Sequence, residues 1–310
     1  MLVQFGADRM DPEWPGSVVC IGTFDGVHLG HQALIGRAVG MARERDLPAI
    51  VLTFDRHPAE TLAPAHAPAP LQNLGQNLAQ IAKLGVSATV VLPFDKHLAR
   101  CPAEQFYQTV LRNTLRAEAV AVGHDFAFGR GRQGTPEWLA ERVETAVLPP
   151  VESAGIRVSS SRIREAVASG DCQLASSLLG RPFSLEGVVV RGKRLGRTLG
   201  YPTANLARPG RVAGLPFGIY AAVADTPFGR FKAAVSIGIR PTVDDSGVPS
   251  VEAFLLDYPG ESLYGRVISL EFHQKLREEM RFDSVEDLCV QMGMDVELAR
   301  QVLAGATADL

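Results

Sequence analysis

The sequence predicts a doubly wound α/β domain followed by an antiparallel β domain. Through about residue 150, short apolar runs alternate with helix-patterned segments, the signature of parallel βαβ units. After about residue 183 the period drops to two, in short segments separated by Gly and Pro turns, as in an antiparallel sheet or small barrel. The 310 residues suffice for roughly two domains, each able to bury a core. The change of period places the division at 1–182 and 183–310.

In the first half, strands are expected at 18–21, 49–54, 89–92, 119–122 and 146–148, where β-branched residues and alanine cluster. Helices are expected near 31–45, 73–84, 103–116 and 135–144. In the first of these, Leu34, Ala38 and Met41 recur on one helical face. The Pro/Ala-rich stretch 63–70 reads as a mobile loop near the mouth of a site. Helical segments in the 161–180 region are expected to bridge the halves. Strands follow at 185–191, 218–224, 231–237, 251–256 and 266–272. Two helical patterns close the chain, one opening on Ser284-Val285-Glu286-Asp287, a capping-box-like start.

Composition excludes several classes of function. The chain is 46% hydrophobic, 21% charged and 7% aromatic, ordinary for a soluble protein. A net charge of −3 gives no basic footprint for nucleic acid. No apolar run reaches the length of a membrane span, and no secretory signal opens the chain. Cys20, Cys101, Cys172 and Cys289 lie far apart without a CxxC pair, which reads as reduced thiols in a cytoplasmic protein.

The chemistry concentrates in a few segments. Gly22-Thr23-Phe24-Asp25-Gly26-Val27-His28-Leu29-Gly30-His31 joins a buried strand to a helix. A helix N-terminus leaves backbone N–H groups unpaired and carries partial positive charge, which suits a phosphate. His28 and His31, three apart, would both face it and, if protonated, would offset charge developing there. Taken alone, the segment is equally consistent with a plain structural turn, and partners for a metal site are missing nearby. Phe54-Asp55-Arg56-His57-Pro58 and Gly123-His124-Asp125-Phe126-Ala127-Phe128-Gly129 follow two further strands on the same rim. Their aromatic rings could stack on a planar ligand or simply pack inward. Val158-Ser159-Ser160-Ser161-Arg162-Ile163-Arg164 enters a helix as a second anion cradle or an ordinary Ser cap. In the second half, Gly192, Gly196 and Gly200 precede Tyr201-Pro202-Thr203-Ala204-Asn205. The spacing is wrong for a Walker A loop, Arg197 stands in place of its lysine, and Tyr-Pro breaks the helix that such a loop needs. The glycines instead allow close backbone approach to phosphates, and Thr203 and Asn205 offer oxygens suited to a Mg²⁺–nucleotide. A turn-rich hairpin is the structural alternative.

The Gly-x-Phe-Asp-Gly-Val-His-x-Gly-His segment with a later Ser-Ser-x-x-x-Arg resembles the nucleotidyltransferase superfamily. With Thr-Phe-Asp-x-His-Pro and Gly-x-Asp-Phe-x-Phe-Gly, it is similar to the FAD synthetase domain of prokaryotic bifunctional riboflavin kinase/FAD synthetases. Pro202-Thr203-Ala204-Asn205 resembles the riboflavin kinase signature of the same family, continued through Gly218-Ile219-Tyr220, 238–242, Val251-Glu252-Ala253-Phe254 and 276–282. The resemblance implies a Rossmann-like nucleotidyltransferase domain with a parallel sheet, then an antiparallel six-stranded β-barrel with a C-terminal helix. It implies two reactions with ATP as co-substrate, riboflavin to FMN and FMN to FAD, with Mg²⁺ accompanying ATP. Glu252 would be the base in the barrel, where Gly192, Gly196 and Gly200 serve the phosphates and Thr203 and Asn205 serve both phosphates and metal. In the α/β domain His28 and His31 would act on the phosphates with Gly22, Phe24, Asp25, Gly30, Ser159, Ser160, Ser161 and Arg164. Phe54, His57, Asp125, Phe126 and Phe128 would contact flavin. The family pattern is departed from at Arg191 (often His), Ser161 (often Thr), Thr135 (usually acidic or amide) and Asn77 (usually Lys). A single retained activity and a non-catalytic flavin- or nucleotide-binding regulator are the rival readings. Monomer and homo-oligomer both remain open.

Overall fold

The computed structural model describes residues 1–7, 14–192, 196, 199–207, 211–238 and 250–305. They form two compact units, Met1–Ser160 and Ser161–Leu310.

The first unit is built on a six-stranded sheet of β1 (Leu2–Phe5), β2 (Ser17–Ile21), β3 (Ala49–Phe54), β4 (Ala88–Leu92), β5 (Ala117–Gly123) and β6 (Glu144–Leu148). All pairings are parallel, in the order β1-β4-β3-β2-β5-β6. β2 is buried at every position, as expected where a parallel sheet is covered on both faces. One cover is α1 (Leu29–Glu44), whose Leu34, Ile35, Ala38 and Met41 pack on Val18, Cys20 and Val51. The opposite cover is α5 (Ala103–Phe106), continuing as a wider π-helix at Tyr107–Thr114, with Phe106, Tyr107 and Leu111 against Val19 and Ile50.

The expected strands are present, but several other elements differ from expectation. β1 escaped notice because an edge strand of four residues shows little periodicity. The expected helix at 103–116 widens after its first turn. The one at 135–144 is only α6 (Pro136–Ala140), with β6 beginning four residues later. Two unexpected short helices, α2 (Pro58–Leu62) and α4 (Lys96–Arg100), are set by their caps, His57 and Asp95. Between α2 and α3 (Leu74–Ala82), the Pro/Ala stretch contains a single 3-10 turn at Pro64–His66. The short hairpin β7 (Glu152–Ser153) and β8 (Ile156–Arg157) precedes the end of this unit.

In the second unit, β9 (Phe183–Val190), β10 (Thr203–Ala207), β11 (Gly218–Thr226), β12 (Gly229–Gly238), β13 (Ser250–Leu255) and β14 (Val267–Arg277) form a closed antiparallel barrel. Its lumen is filled: Phe183, Leu185, Tyr220, Val235, Ala253, Leu270 and Phe272 are all buried. Polar alternates on the same strands therefore point outward, including Glu252 between buried Val251 and Ala253. Five of these strands are legible as period-two segments. The sixth, β10, is too short and too polar to register.

α7 (Ser160–Ser169) and α8 (Cys172–Leu179) were assigned to the first domain by the division at 182, yet α8 packs on β9 and β14 and groups with the barrel. Burial of Cys172, Ala175, Leu178 and Leu179 accounts for that. Where two closing helices were expected, the described residues hold one, α9 (Val285–Val302). Its N-cap is Ser284, which accepts from the Asp287 N–H at 3.0 Å. Ala299, with the adjoining Leu303, packs on Ala221 and Val223 of the barrel's outer face. Among the described residues no helix is long and apolar enough to cross a membrane.

Candidate active sites

A parallel sheet delivers every strand's carboxyl end to one edge, so Gly22, Asp55 and Gly123 share a rim. Strand order reverses between β2 and β5, the switch point at which open α/β sheets take ligands. The turn after β2 is tight, with positive φ at Phe24 (48°), Gly26 (79°) and Val27 (38°). Surrounding contacts hold it. The Gly26 N–H donates to Asn77 Oδ1 at 3.0 Å. The buried Asp25 carboxylate accepts from the Leu71 N–H at 2.9 Å and from the Gln72 N–H at 3.4 Å. The side chains of Asp25 and Phe24 both face the protein interior, which leaves their backbone to meet a phosphate. Asp25 is turned into the protein to anchor 71–72, and the fully buried Phe24 belongs to the core. Asn77, where lysine was the expected type, is a working part of the turn.

His28 caps α1, its Nδ1 accepting from the His31 N–H at 3.3 Å. The two imidazoles stack with centroids 3.6 Å apart, and Gly30 lies against the His28 ring. Burial, with the neighbouring His28, pushes the His31 pKa well down. The buried His31 Nδ1 has no partner among the described residues. The Ser160 hydroxyl donates to the Asp25 carbonyl at 3.1 Å, tying the second cradle to the turn. Ser159 is half-buried beside it. Ser161 is exposed and Arg164 half-buried, both on α7 in the second unit.

Phe54 is half-buried and edge-on to Phe94 at 5.3 Å. Partial burial works against ionisation of Asp55, but hydrogen bonds from Arg56 and the Phe94 N–H outweigh it and hold the carboxyl below its usual range. His57 Nδ1 accepts from the Ala59 N–H at 3.1 Å and closes a capping box with Glu60, which commits that nitrogen to structure. Phe126 and Phe128 stack at 5.7 Å and pack with Phe106 and Trp138, half-buried, so the inward alternative holds for part of their surface. Asp125 is exposed and pairs with Arg157 at 3.5 Å. At Thr135 the hydroxyl caps α6 by accepting from the Trp138 N–H at 3.2 Å, which explains how that departure is tolerated.

In the second unit, cross-strand register assembles the site. Asn205, Glu252, Ser236, Ile219 and Arg277 are directly opposed in succession across β10, β13, β12, β11 and β14, all on the outer face. The Thr203 hydroxyl donates to Glu252 Oε2 at 3.3 Å. Both line a cavity of about 310 Å³ roofed by α9. Its apolar walls include Tyr201, Phe254, Leu288 and Met292. At one end Arg277 donates to Asp295 at 2.6 and 2.8 Å, and Gln291 adds a third hydrogen bond to the same carboxylate. Asn205 is buried, and a Cβ on Gly192 would stand 2.6 Å from its side chain, so only glycine fits against it there. The Gly196 carbonyl accepts from the Leu199 and Tyr201 N–H groups, and Gly200 turns the chain at φ 84°. Arg191 is exposed, 6.0 Å from the Tyr264 ring. Motif positions 193–195, 197–198 and 239–242 lie outside the described residues. The helix wall and the Arg277–Asp295 pair were missed from sequence. The i, i+4 pair Leu288 and Met292 was the available signal, indistinguishable there from ordinary core.

Comparison with known proteins covers the same two halves. Residues 10–162 match the family described as FAD synthetase, and residues 179–303 match the family described as riboflavin kinase. A bifunctional riboflavin kinase/FMN adenylyltransferase of Pseudomonas fluorescens is 39% identical over 306 residues, covering 96% of this chain and 97% of that protein. Proteins of the same description from Escherichia coli K12 and Bacillus subtilis are 37% and 33% identical, covering 92% and 91% of both partners. Among solved structures, a Streptococcus pneumoniae crystal structure described as a macrolide-efflux protein superposes with a TM-score of 0.88 at 31% identity, covering 97% of this chain and 99% of that one. Two matched halves in one chain, and relatives aligned almost end to end, show that the chain belongs to the bifunctional riboflavin kinase/FMN adenylyltransferase family.

Proposed function

We propose that this chain makes FMN from riboflavin and then FAD from FMN, using ATP in both steps, the kinase chemistry lying in 183–310 and the adenylyl transfer in 1–182. The observation that carries the reading is Glu252, hydrogen-bonded to Thr203, set in the wall of a largely apolar cavity. Riboflavin is an apolar ring carrying a polyol tail, and that cavity offers an apolar wall with a carboxylate beside it. Glu252 accepts the proton of the terminal hydroxyl as its oxygen bonds the γ-phosphorus, and ADP leaves. Thr203 and Asn205 supply neutral oxygens on one face of β10, with Gly192 packed against the Asn205 amide. Among the described residues no cluster of three His, Cys, Asp or Glu could cage a metal unaided, which suits Mg²⁺ held by a few protein oxygens together with substrate phosphates. When bound there, Mg²⁺ neutralises charge building on the transferring phosphoryl group.

For adenylyl transfer, the FMN phosphate attacks the α-phosphorus of ATP and pyrophosphate leaves. A phosphate is already a nucleophile, so alignment and charge stabilisation suffice. Gly22 and Gly30 let the backbone approach, while His28, His31, Ser159 and Ser160 supply hydrogen bonds. The parts of Ser161 and Arg164 rest on the motif alone. Flavin contacts fall to Phe54, His57, Asp125, Phe126 and Phe128. We place the chain in the cytoplasm, in keeping with four unpaired cysteines.

A chromatographic time course with riboflavin, ATP and Mg²⁺, beside one started from FMN, tests both steps. FMN appearing and then converting to FAD is expected. FMN that accumulates without FAD, even from supplied FMN, would overturn the adenylyl-transfer half; FAD from FMN but never from riboflavin would overturn the kinase half.

A further inference from the structure

Among the polar side chains of the barrel cavity that have no part in the mechanism above, Ser236 stands nearest the base. Ser236 on β12 lies directly opposite Glu252, on the same outer face, half-buried and lining the same cavity. Directly opposed residues bring their Cβ atoms within about 5 Å, and adjacent strands are about 4.8 Å apart. A chain whose reacting end rests on Glu252 and which runs on over β12 therefore crosses Ser236 next, before Ile219 and Arg277. Of the charged groups beyond, Arg277 and Asp295 are committed to one another, while the Glu279 carboxylate lies beside Gly238 further along β12. Arg277 donates to Asp295 and to the Glu278 carbonyl, and Asp295 accepts from Gln291 as well. On the far side of Glu252, Thr203 donates to the carboxylate. A small hydroxyl that can donate or accept thus stands one strand from the reacting position, too close to that position to meet the ring at the far end of the tail.

We propose that Ser236 reads the polyol tail of the flavin: its hydroxyl hydrogen-bonds a ribityl hydroxyl near the reacting one and so sets selectivity for a hydroxylated chain. The inference rests on the kinase reading given above. Ser236 acts on the substrate in this account and leaves the proton transfer to Glu252.

The test pairs side-chain and substrate deletions. Ser236→Ala is expected to lower kcat/KM for riboflavin about tenfold, the scale of one hydrogen bond within a site. For one of the 2′-, 3′- or 4′-deoxy analogues, which lacks the partner hydroxyl, the variant and the unmodified enzyme should perform alike. Ser236→Thr should retain selectivity and Ser236→Val, isosteric with that Thr variant, should lose it, which separates the hydroxyl from the shape of the wall. An equal loss on riboflavin and on all three analogues would overturn the proposal, as would an unchanged kcat/KM for riboflavin in Ser236→Ala. Failure of the unmodified protein to phosphorylate riboflavin at all would instead overturn the kinase reading beneath it.

Discussion

Glu252→Gln separates basicity from position at the kinase site. Gln keeps the length of the side chain and an oxygen to accept from the Thr203 hydroxyl, 3.3 Å away in the parent. What it loses is the ability to take a proton. General-base catalysis contributes about 10²–10⁴ in rate, which at 1.36 kcal/mol per decade is about 2.7–5.4 kcal/mol of barrier. Glu252→Ala removes the hydrogen bond as well, and one such bond is worth about 1 kcal/mol, a further factor of about five. The expected order for FMN formation is therefore parent, then Gln lower by two to four decades, then Ala slightly lower again. Chromatography of reactions started from riboflavin and from FMN reads both activities in one preparation. FAD formation from supplied FMN should be unchanged. A fall of less than tenfold in the Gln variant would refute the base assignment and leave Glu252 a positioning group. Equal loss of both activities would refute the assumption of independent sites.

Other expectations follow from the same geometry. His31→Ala should lower FAD formation from FMN by about 10²-fold or more while FMN formation from riboflavin persists, and normal adenylylation in that variant would discard the phosphate assignment. Asp25→Ala leaves the Leu71 N–H without its acceptor and should cost about 2–3 kcal/mol, seen as a lower Tm, whereas Asp25→Asn recovers much of it. A variant that kept its Tm but lost affinity for ATP would return Asp25 to the phosphate ligands. Acidification should destabilise the fold below about pH 6.5. Burial lowers the folded-state pKa of His31 and of His273, assisted by His28 and Arg230 respectively, with Glu271 partly opposing at His273. Below the unfolded value the unfolded chain binds protons that the folded chain refuses, so stability falls with pH at up to about 1.4 kcal/mol per unit for each histidine. A Tm unchanged between pH 7.5 and 5.5 would contradict this. Asp55, held low, adds its own loss only near and below pH 4.

Local patterns settled much of this protein. The parallel strands and most barrel strands were legible because burial imposes a continuous apolar run on one and a period of two on the other. The chemistry-bearing turns were legible because glycines and histidines cluster there beyond what packing requires. Direction and partnership were not. Asp25 reads as a ligand in its motif, yet its carboxylate turns inward to amides 46 and 47 residues away. Phe24, in the same motif, is swallowed by the core. His31 carries a charge or not according to burial and a stacked neighbour, neither visible along the chain.

The barrel shows the division most plainly. Residue types offered Thr203 and Asn205 for a Mg²⁺–nucleotide, and the family resemblance added Glu252 as the base. Only closure of the sheet decided that its lumen would be solid and the candidate site external, because aromatic and aliphatic side chains such as Phe183, Tyr220, Phe272 and Leu270 fill the inside. Only register set Glu252 between Asn205 and Ser236, and only docking of α9 gave that open face a roof. Sequence determines which groups are available; long-range pairing, acting between residues dozens of positions apart, decides which of them meet.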